Sequence, residues 1–258
     1  MIASYRGFIA FFFLFVFAVP FETRAEETRV DVRVLSKGAK FIGTSMGGVE
    51  VTIVDATTGE LLSRGITKGS TGDTQKIMKL AQPHHAPVST EDAAVFRAEV
   101  DIEEPRLLKV TARGPLAQRQ SMGEVSATQW VVPGKDITGG DGLLLEMPGF
   151  VVDVLNPPAH QKLGAAPVTV ELKANVSMMC GCPIEPGGLW DADKLEVRGI
   201  VKRDGKQVGE LNLAYAGSTS QFTAPLKLEK RGAYEITVYA YDPTNGNTGV
   251  DTTSVVVQ

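Results

Sequence analysis

Val168-Thr169-Val170-Glu171-Leu172-Lys173-Ala174-Asn175-Val176 places an apolar side chain at every second position. A period of two puts those groups on one face of an extended chain, so the stretch reads as a half-buried strand. The same grammar continues to the C-terminus. Leu195, Val197 and Val201 mark a second strand, Arg203-Asp204-Gly205-Lys206 a tight hairpin turn, and Leu211, Leu213 and Tyr215 the returning strand. Phe222, Ala224, Leu226 and Leu228 follow, then Tyr234, Ile236, Val238 and Ala240, and finally a Val-rich ending from Val250 to Val257. Short strands at this spacing, punctuated by Asp-Gly and Asn-Gly, predict two antiparallel sheets packed face to face over residues 168–258.

Upstream, Val30, Val32 and Val34 alternate with Asp31 and Arg33, and Val49, Val51 and Ile53 alternate with Glu50 and Thr52. Asp55-Ala56-Thr57-Thr58-Gly59-Glu60 supplies turn residues before Leu61-Leu62-Ser63-Arg64 resumes an extended pattern, which is a hairpin signal. Phe96, Ala98, Val100 and Ile102 form another alternating set, as do Leu108, Val110 and Ala112, and Trp130-Val131-Val132 reads as a short strand. The stretch from Gly69 to Glu91 does not alternate and reads either as a short helix around Thr74 to Leu80 or as a long surface loop. Leu155-Asn156-Pro157-Pro158 and the small, polar residues up to Pro167 read as a stiff connector, because consecutive prolines interrupt ladder hydrogen bonding. The expected fold class is therefore all-β, two antiparallel β-sandwich domains in tandem: residues 26–155 and 168–258, joined by a Pro-rich linker over 156–167.

The chain has 258 residues, 43% hydrophobic and 22% charged, with a net charge of −4. That composition excludes a disordered or collagenous chain. Seven of the eleven Phe precede residue 22, so the interior must be built mainly from Val, Leu, Ile and Ala. Met1, Arg6, the apolar run from Phe8 to Val19, and Thr23-Arg24-Ala25 before Glu26-Glu27 follow the order of a secretory signal peptide over residues 1–25. The uncharged run is shorter than the roughly 18 residues a spanning helix prefers. A periplasmic or extracellular product is expected, with no membrane span after signal removal. Lys and Arg are scattered over a mildly acidic chain, which gives no footprint for nucleic acid. The expected partners are an envelope or extracellular protein, a small ligand or a metal ion.

Two resemblances refine this. Gly47-Gly48-Val49-Glu50-Val51-Thr52-Ile53-Val54-Asp55, with Thr58-Gly59-Glu60 after it, resembles the prealbumin-like or carboxypeptidase-regulatory-like β-sandwich, a non-catalytic module. Gly232-Ala233-Tyr234-Glu235-Ile236-Thr237-Val238-Tyr239-Ala240-Tyr241-Asp242, followed by Asn245-Gly246-Asn247-Thr248-Gly249 and a Val-rich strand, resembles the last hairpin of bacterial immunoglobulin-like domains. The second resemblance implies that Tyr234 occupies the corner position whose hydroxyl ties back to the chain. Domains of this kind space, present or bind, and share no active site.

One segment does not fit a plain sandwich. Ser177-Met178-Met179-Cys180-Gly181-Cys182-Pro183-Ile184 holds both cysteines and two methionines within five positions. Three readings stand open. The cysteines form a disulfide, which export favours although the ring is too small to remove much chain entropy; a bond of that kind also suits thiol–disulfide exchange. Alternatively, Cys180 and Cys182 are soft-metal thiolates suited to copper, with a thioether from Met178 or Met179 and an imidazole from His160 in the connector. Zinc fits less well, since the cysteine spacing is shorter than usual. In the third reading the methionines cap the core and the thiols are small hydrophobes.

Other constellations are thinner. His84-His85 between two prolines suits a borderline metal or plain solvation. Asp191-Ala192-Asp193, and Asp242 with Asn245 and Asn247, offer oxygen ligands for Ca²⁺, but turns use these residues for backbone reasons too. Asn175-Val176-Ser177 matches a glycosylation sequon inside a strand. Trp130, Trp190, Tyr239 and Tyr241 form no spaced sugar platform. Three histidines leave few general bases and no phosphate-cradling Gly-Lys-Ser/Thr occurs, so no enzyme is expected. The function expected is that of an exported, non-catalytic binding or presenting protein. Copper carriage by the sulfur-rich loop and thiol exchange at Cys180/Cys182 are the alternatives.

Overall fold

The computed structural model describes residues 26–258 apart from Gln82, His84 and His85. The N-terminal segment read as a signal peptide and the paired histidines lie outside the described residues. Strand is the dominant regular structure among the described residues, as the alternation predicts. Among the described residues, no helix is long and apolar enough to cross a membrane.

The first half builds β1 (Glu26–Ser36), β2 (Glu50–Asp55), β3 (Leu61–Ile66), the one-turn helix α1 (Thr74–Met78), β4 (Phe96–Ile102), β5 (Arg106–Gly114), β6 (Gly123–Val131) and β7 (Leu143–Met147). They form two sheets, β4-β1-β7 and β3-β2-β5-β6. All pairs are antiparallel except β1 with β7, which run parallel from Val32↔Leu143 to Ser36↔Met147. The inward residues are the ones the alternation marks: Val30, Val32, Val34, Val51, Ile53, Val100 and Val110 share one core. In the β2–β3 turn, Asp55 Oδ1 accepts from the backbone N–H groups of Thr57 and Thr58 at 2.7 and 2.9 Å.

The opposite face of β1 departs from expectation. Asp31 and Arg33 alternate with valines and so read as solvent-facing, yet they are 9% and 7% exposed. Arg33 donates to the Asp141 carbonyl at 3.1 Å, and the Asp141 carboxylate accepts from the N–H groups of Val88 and Ser89 at 3.0 and 2.8 Å. The non-alternating segment after β3 thus folds back over β1 and covers it. Within that segment α1 is capped by Asp73, whose Oδ1 accepts from Lys76 N at 2.6 Å.

The second half builds β8 (Phe150–Asn156), β9 (Gln161–Leu163), β10 (Val168–Met178), β11 (Glu196–Arg203), β12 (Lys206–Asn212), β13 (Ala214–Tyr215), β14 (Gln221–Leu228), β15 (Gly232–Tyr241) and β16 (Thr248–Val257). Their sheets are β13-β14-β10-β8 and β12-β11-β15-β16-β9. The expected domain boundary shifts as a result. β8 pairs antiparallel with β10, from Ala174↔Val154 to Met178↔Phe150, and β9 pairs parallel with the end of β16. Residues 150–163 therefore belong to the second sandwich, and the chain passes between sandwiches at Pro148-Gly149. Pro157-Pro158 does interrupt a ladder, but at a crossing from one sheet to the other inside that sandwich, where Thr253 Oγ1 donates to the Pro157 carbonyl at 2.9 Å.

Two details follow local rules. Asp204 and Gly205 both have positive φ, 48° and 79°, the geometry of the two-residue hairpin turn that matches strand twist. The expected strand through Leu211, Leu213 and Tyr215 is instead split at buried Leu213, where the chain leaves β11's sheet to pair with β14. Tyr234 is buried, and its hydroxyl donates to the Lys230 carbonyl at 2.7 Å. That is the tie expected from the immunoglobulin-like resemblance.

Candidate functional site

The sulfur-rich segment begins where β10 ends. Gly181 N donates to the Met178 carbonyl at 2.8 Å and Met178 N donates to the Cys182 carbonyl at 3.2 Å, which closes a compact turn. Gly181 sits at φ 76°, a region that L side chains rarely adopt, and a Cβ placed there would lie 2.6 Å from Met46 Sδ. Cys180 and Cys182 are bridged, with Cα atoms 5.4 Å apart, and are only 2% and 4% exposed. The following residue pair is fastened too: Ile184 N donates to Ser220 Oγ at 3.1 Å and Ser220 N to the Ile184 carbonyl at 2.9 Å.

The remaining residues of the soft-metal reading are not brought together. Met178 joins the core of the second sandwich and Met179 that of the first, because neighbours on a strand point to opposite faces. His160 lies toward the other end of β16, with its N–H donating to the Ser254 carbonyl at 2.7 Å and Nδ1 3.3 Å from Ser254 Oγ. Gly249, near the start of β16, packs against Phe150 beside the sulfur turn. The intervening strand separates His160 from that turn by roughly 15 Å. Both cysteine sulfurs are engaged in the bridge, so neither is a thiolate. The sulfur that does approach the turn is Met46, from the first sandwich, which sequence reading missed because nothing local in its surroundings signals a partner some 130 residues away.

The turn sits at the junction of the two sandwiches. Asn247, fully buried, accepts from Gly149 N at 3.1 Å and donates to the Lys37 carbonyl at 3.0 Å. Lys37 Nζ donates to the Asn245 carbonyl at 2.8 Å, and Trp190 Nε1 to the Gly38 carbonyl at 3.0 Å. On the other side, Gln120 Nε2 donates to the Val152 carbonyl at 3.1 Å and Val152 N to Ser121 Oγ at 3.1 Å. The oxygen-rich turns considered for Ca²⁺ serve the backbone: Asp191 Oδ1 accepts from the N–H groups of Gly187 and Asp193, and those bonds hold its carboxyl below the usual range. Asp242 accepts from Thr244 and Asn245 in the same way. Asn175 and Ser177 of the sequon are both on β10.

Two of the clefts among the described residues bear on binding. One is the flank of the second sandwich between edge strand β12 and β14, a cleft of about 400 Å³ lined by Val201, Val208, Leu211, Leu226 and Tyr234 with charged residues around the rim. Val208 is 51% exposed there. The other is a polar cleft of about 380 Å³ beside the sulfur turn, lined by Met46, Asp153, Asn175, Ser177 and Gly181 among others. Burial, and then the neighbouring Asp251 carboxylate, push the Asp153 carboxyl above the ordinary value.

A Gly-x-Ser-x-Gly spacing does occur, at Gly43-Thr44-Ser45-Met46-Gly47. The nucleophile elbow that this spacing can form lies at a sharp strand-to-helix turn. Here it lies on a 3₁₀ turn, Thr44–Met46, between two strands, so the context that would give the spacing its chemistry is missing.

No family model matches the chain, and no curated protein does. Solved structures with some similarity include an engineered protein, 22% identical over 50% of this chain and 24% of that one, with a TM-score of 0.32. The chain thus spans about a quarter of that protein's length. The fibronectin(III)-like modules of Clostridium thermocellum CbhA are 13% identical, covering 90% of this chain and 94% of theirs, with a TM-score of 0.30. The C-terminally truncated tip fimbrial protein Mfa3 from Porphyromonas gingivalis is 9% identical, covering 88% and 81%, with a TM-score of 0.30. Scores this low carry no argument about function, and the fold rests on the strand register above.

Proposed function

We propose that this is an exported, non-catalytic binding or presenting protein of the cell envelope, acting on a protein partner through its second, immunoglobulin-like sandwich. The observation that carries this reading is the closure of the sulfur turn. In the segment best suited to reactivity both cysteines are bridged and buried in the second core while Met179 packs into the first, which suits a structural clasp holding the sandwiches in a fixed pose. A fixed pose presents the β12–β14 flank, where exposed Val208 and half-buried Leu211 offer apolar anchors inside a charged rim, the usual anatomy of a recognition patch. The N-terminal targeting pattern supports the envelope location.

The test is site-specific photocrosslinking in the native envelope. A photoreactive residue at Val208 is expected to yield one discrete adduct that is absent when the same group is placed at Leu61 on the first sandwich. Identical adduct patterns from both positions, or none from Val208, would sink the proposal.

A second reading, soft-metal carriage, draws on the Met46 thioether packed against Gly181. It requires a dithiol, or two thiols in succession, to give two electrons and leave as a disulfide so that the bridge opens before any thiolate can ligate copper.

A further inference from the structure

Three side chains on the outward face of the β13-β14-β10-β8 sheet line the polar cleft without spending their hydrogen-bonding capacity. Asp153 on β8 is the direct cross-strand partner of Asn175 on β10, and Ser177 follows two residues on, so the three share one face. Ser177 is 8% exposed, and none of the three side chains has a hydrogen-bond partner among the described residues. The surrounding groups are committed elsewhere: Gln118 accepts from Gln120, Thr219 donates to Glu185, and Ser220 accepts from Ile184. No cation of the chain pairs with Asp153 among the described residues. Lys173 on β10 and Arg119, next in sequence to the lining residue Gln118, form no ion pair with it, while the nearby charge is the Asp251 carboxylate. A half-buried carboxylate without a counter-charge is costly, and a cation carrying several N–H donors satisfies it together with neighbouring acceptors.

We propose that this cleft binds a protonated amine or guanidinium, with Asp153 supplying the counter-charge and the Asn175 amide oxygen and Ser177 hydroxyl accepting the remaining N–H groups. A volume of about 380 Å³ is at the small end of ligand sites and suits one such group on a short aliphatic stem. The cleft floor is the junction itself, since Met46 comes from the first sandwich and Gly181 from the second, so occupancy bears on both. The site is separate from the β12–β14 flank and does not rest on the partner reading.

The experiment is a titration of the bridged, ¹⁵N-labelled protein followed by amide chemical shifts. One arm uses a capped arginine peptide, a second uses free putrescine, and a third uses the matching capped glutamine peptide as a neutral control. Saturable shifts centred on Asp153, Asn175, Ser177 and Gly181 are expected with the cations and not with the control. The cation that saturates at lower concentration identifies the source as a protein side chain or a free amine. Asp153→Asn is expected to weaken binding at least about tenfold, the loss of a charge-assisted hydrogen bond. Asn175→Ala, a second variant at a half-buried position, is expected to weaken it less. Absence of saturable shifts with either cation, equal shifts with the glutamine peptide, or unchanged affinity in Asp153→Asn would overturn the proposal.

Discussion

Replacing Asn247 with Ala tests whether the two sandwiches are held as one body. Asn247 is fully buried and bridges Gly149 N, at the crossing between sandwiches, and the Lys37 carbonyl, at the end of β1. The substitution removes two hydrogen bonds and leaves one backbone donor and one acceptor without partners. Each orphaned buried group costs about 1–3 kcal/mol, so the expected destabilisation is about 3 kcal/mol. For a chain of this size that corresponds to a fall in Tm of roughly 5–10 °C. Urea unfolding followed by tryptophan fluorescence reads the change, since Trp190 donates across the same junction to the Gly38 carbonyl while Trp130 is exposed on the first sandwich. A change below about 0.5 kcal/mol, the level of an ordinary surface substitution, would refute the clamp.

Further expectations test the other contacts. Gly181→Ala forces a side chain into positive φ against Met46 Sδ and is expected to cost about 1–3 kcal/mol by thermal denaturation; adding Met46→Ala relieves the clash but not the backbone strain, so recovery is partial. Tyr234→Phe deletes the tie to Lys230 and is expected to lower stability by about 1 kcal/mol without changing the circular dichroism spectrum. Two half-buried carboxylates oppose each other in pH dependence. Burial pushes the Asp141 carboxyl up, but bonds from Ser89 and Val88 outweigh it and leave its folded value depressed. Its contribution is present above the unfolded carboxyl value of about 3.9 and is lost as pH falls through the lower folded value, so Asp141→Asn flattens the acid limb of a stability–pH curve. Asp153 is raised, so its ionised form opposes folding at neutral pH and that penalty vanishes on acidification. Asp153→Asn is accordingly expected to stabilise the protein at pH 7 and to have no such effect below the unfolded value; equal effects at both pH values would contradict the sign.

The strands were legible because alternation is a local property: Val30 to Val34, Val168 to Val176 and Tyr234 to Ala240 state their buried face without reference to anything distant. The tie of Tyr234 was expected from the immunoglobulin-like resemblance, and it is made to Lys230, four residues away. What needed the fold was long-range. Pro157-Pro158 breaks a ladder equally well between domains or between the sheets of one sandwich, and only the pairing of β8 with β10 decides. Leu143-Leu144-Leu145 in β7 hides its alternation because its outward residue is also apolar. Asp31 and Arg33 look solvated until the segment after β3 folds back over them. The sulfur turn was found by its composition, and alternation anticipated that Met178 and Met179 diverge. Its position at the junction, the approach of Met46 and the open capacity of Asp153, Asn175 and Ser177 depend on residues brought together across the sandwiches.

Whether the sulfur turn is a clasp is tested most directly by an anaerobic Cu(I) titration of protein purified from its native compartment without reductant, with a free-thiol count on the same sample. A clasp gives no free thiol and no stoichiometric copper uptake, with the same curve for the Cys180→Ser, Cys182→Ser double variant. One equivalent of copper bound tightly by the unaltered protein and lost in the double variant would contradict it.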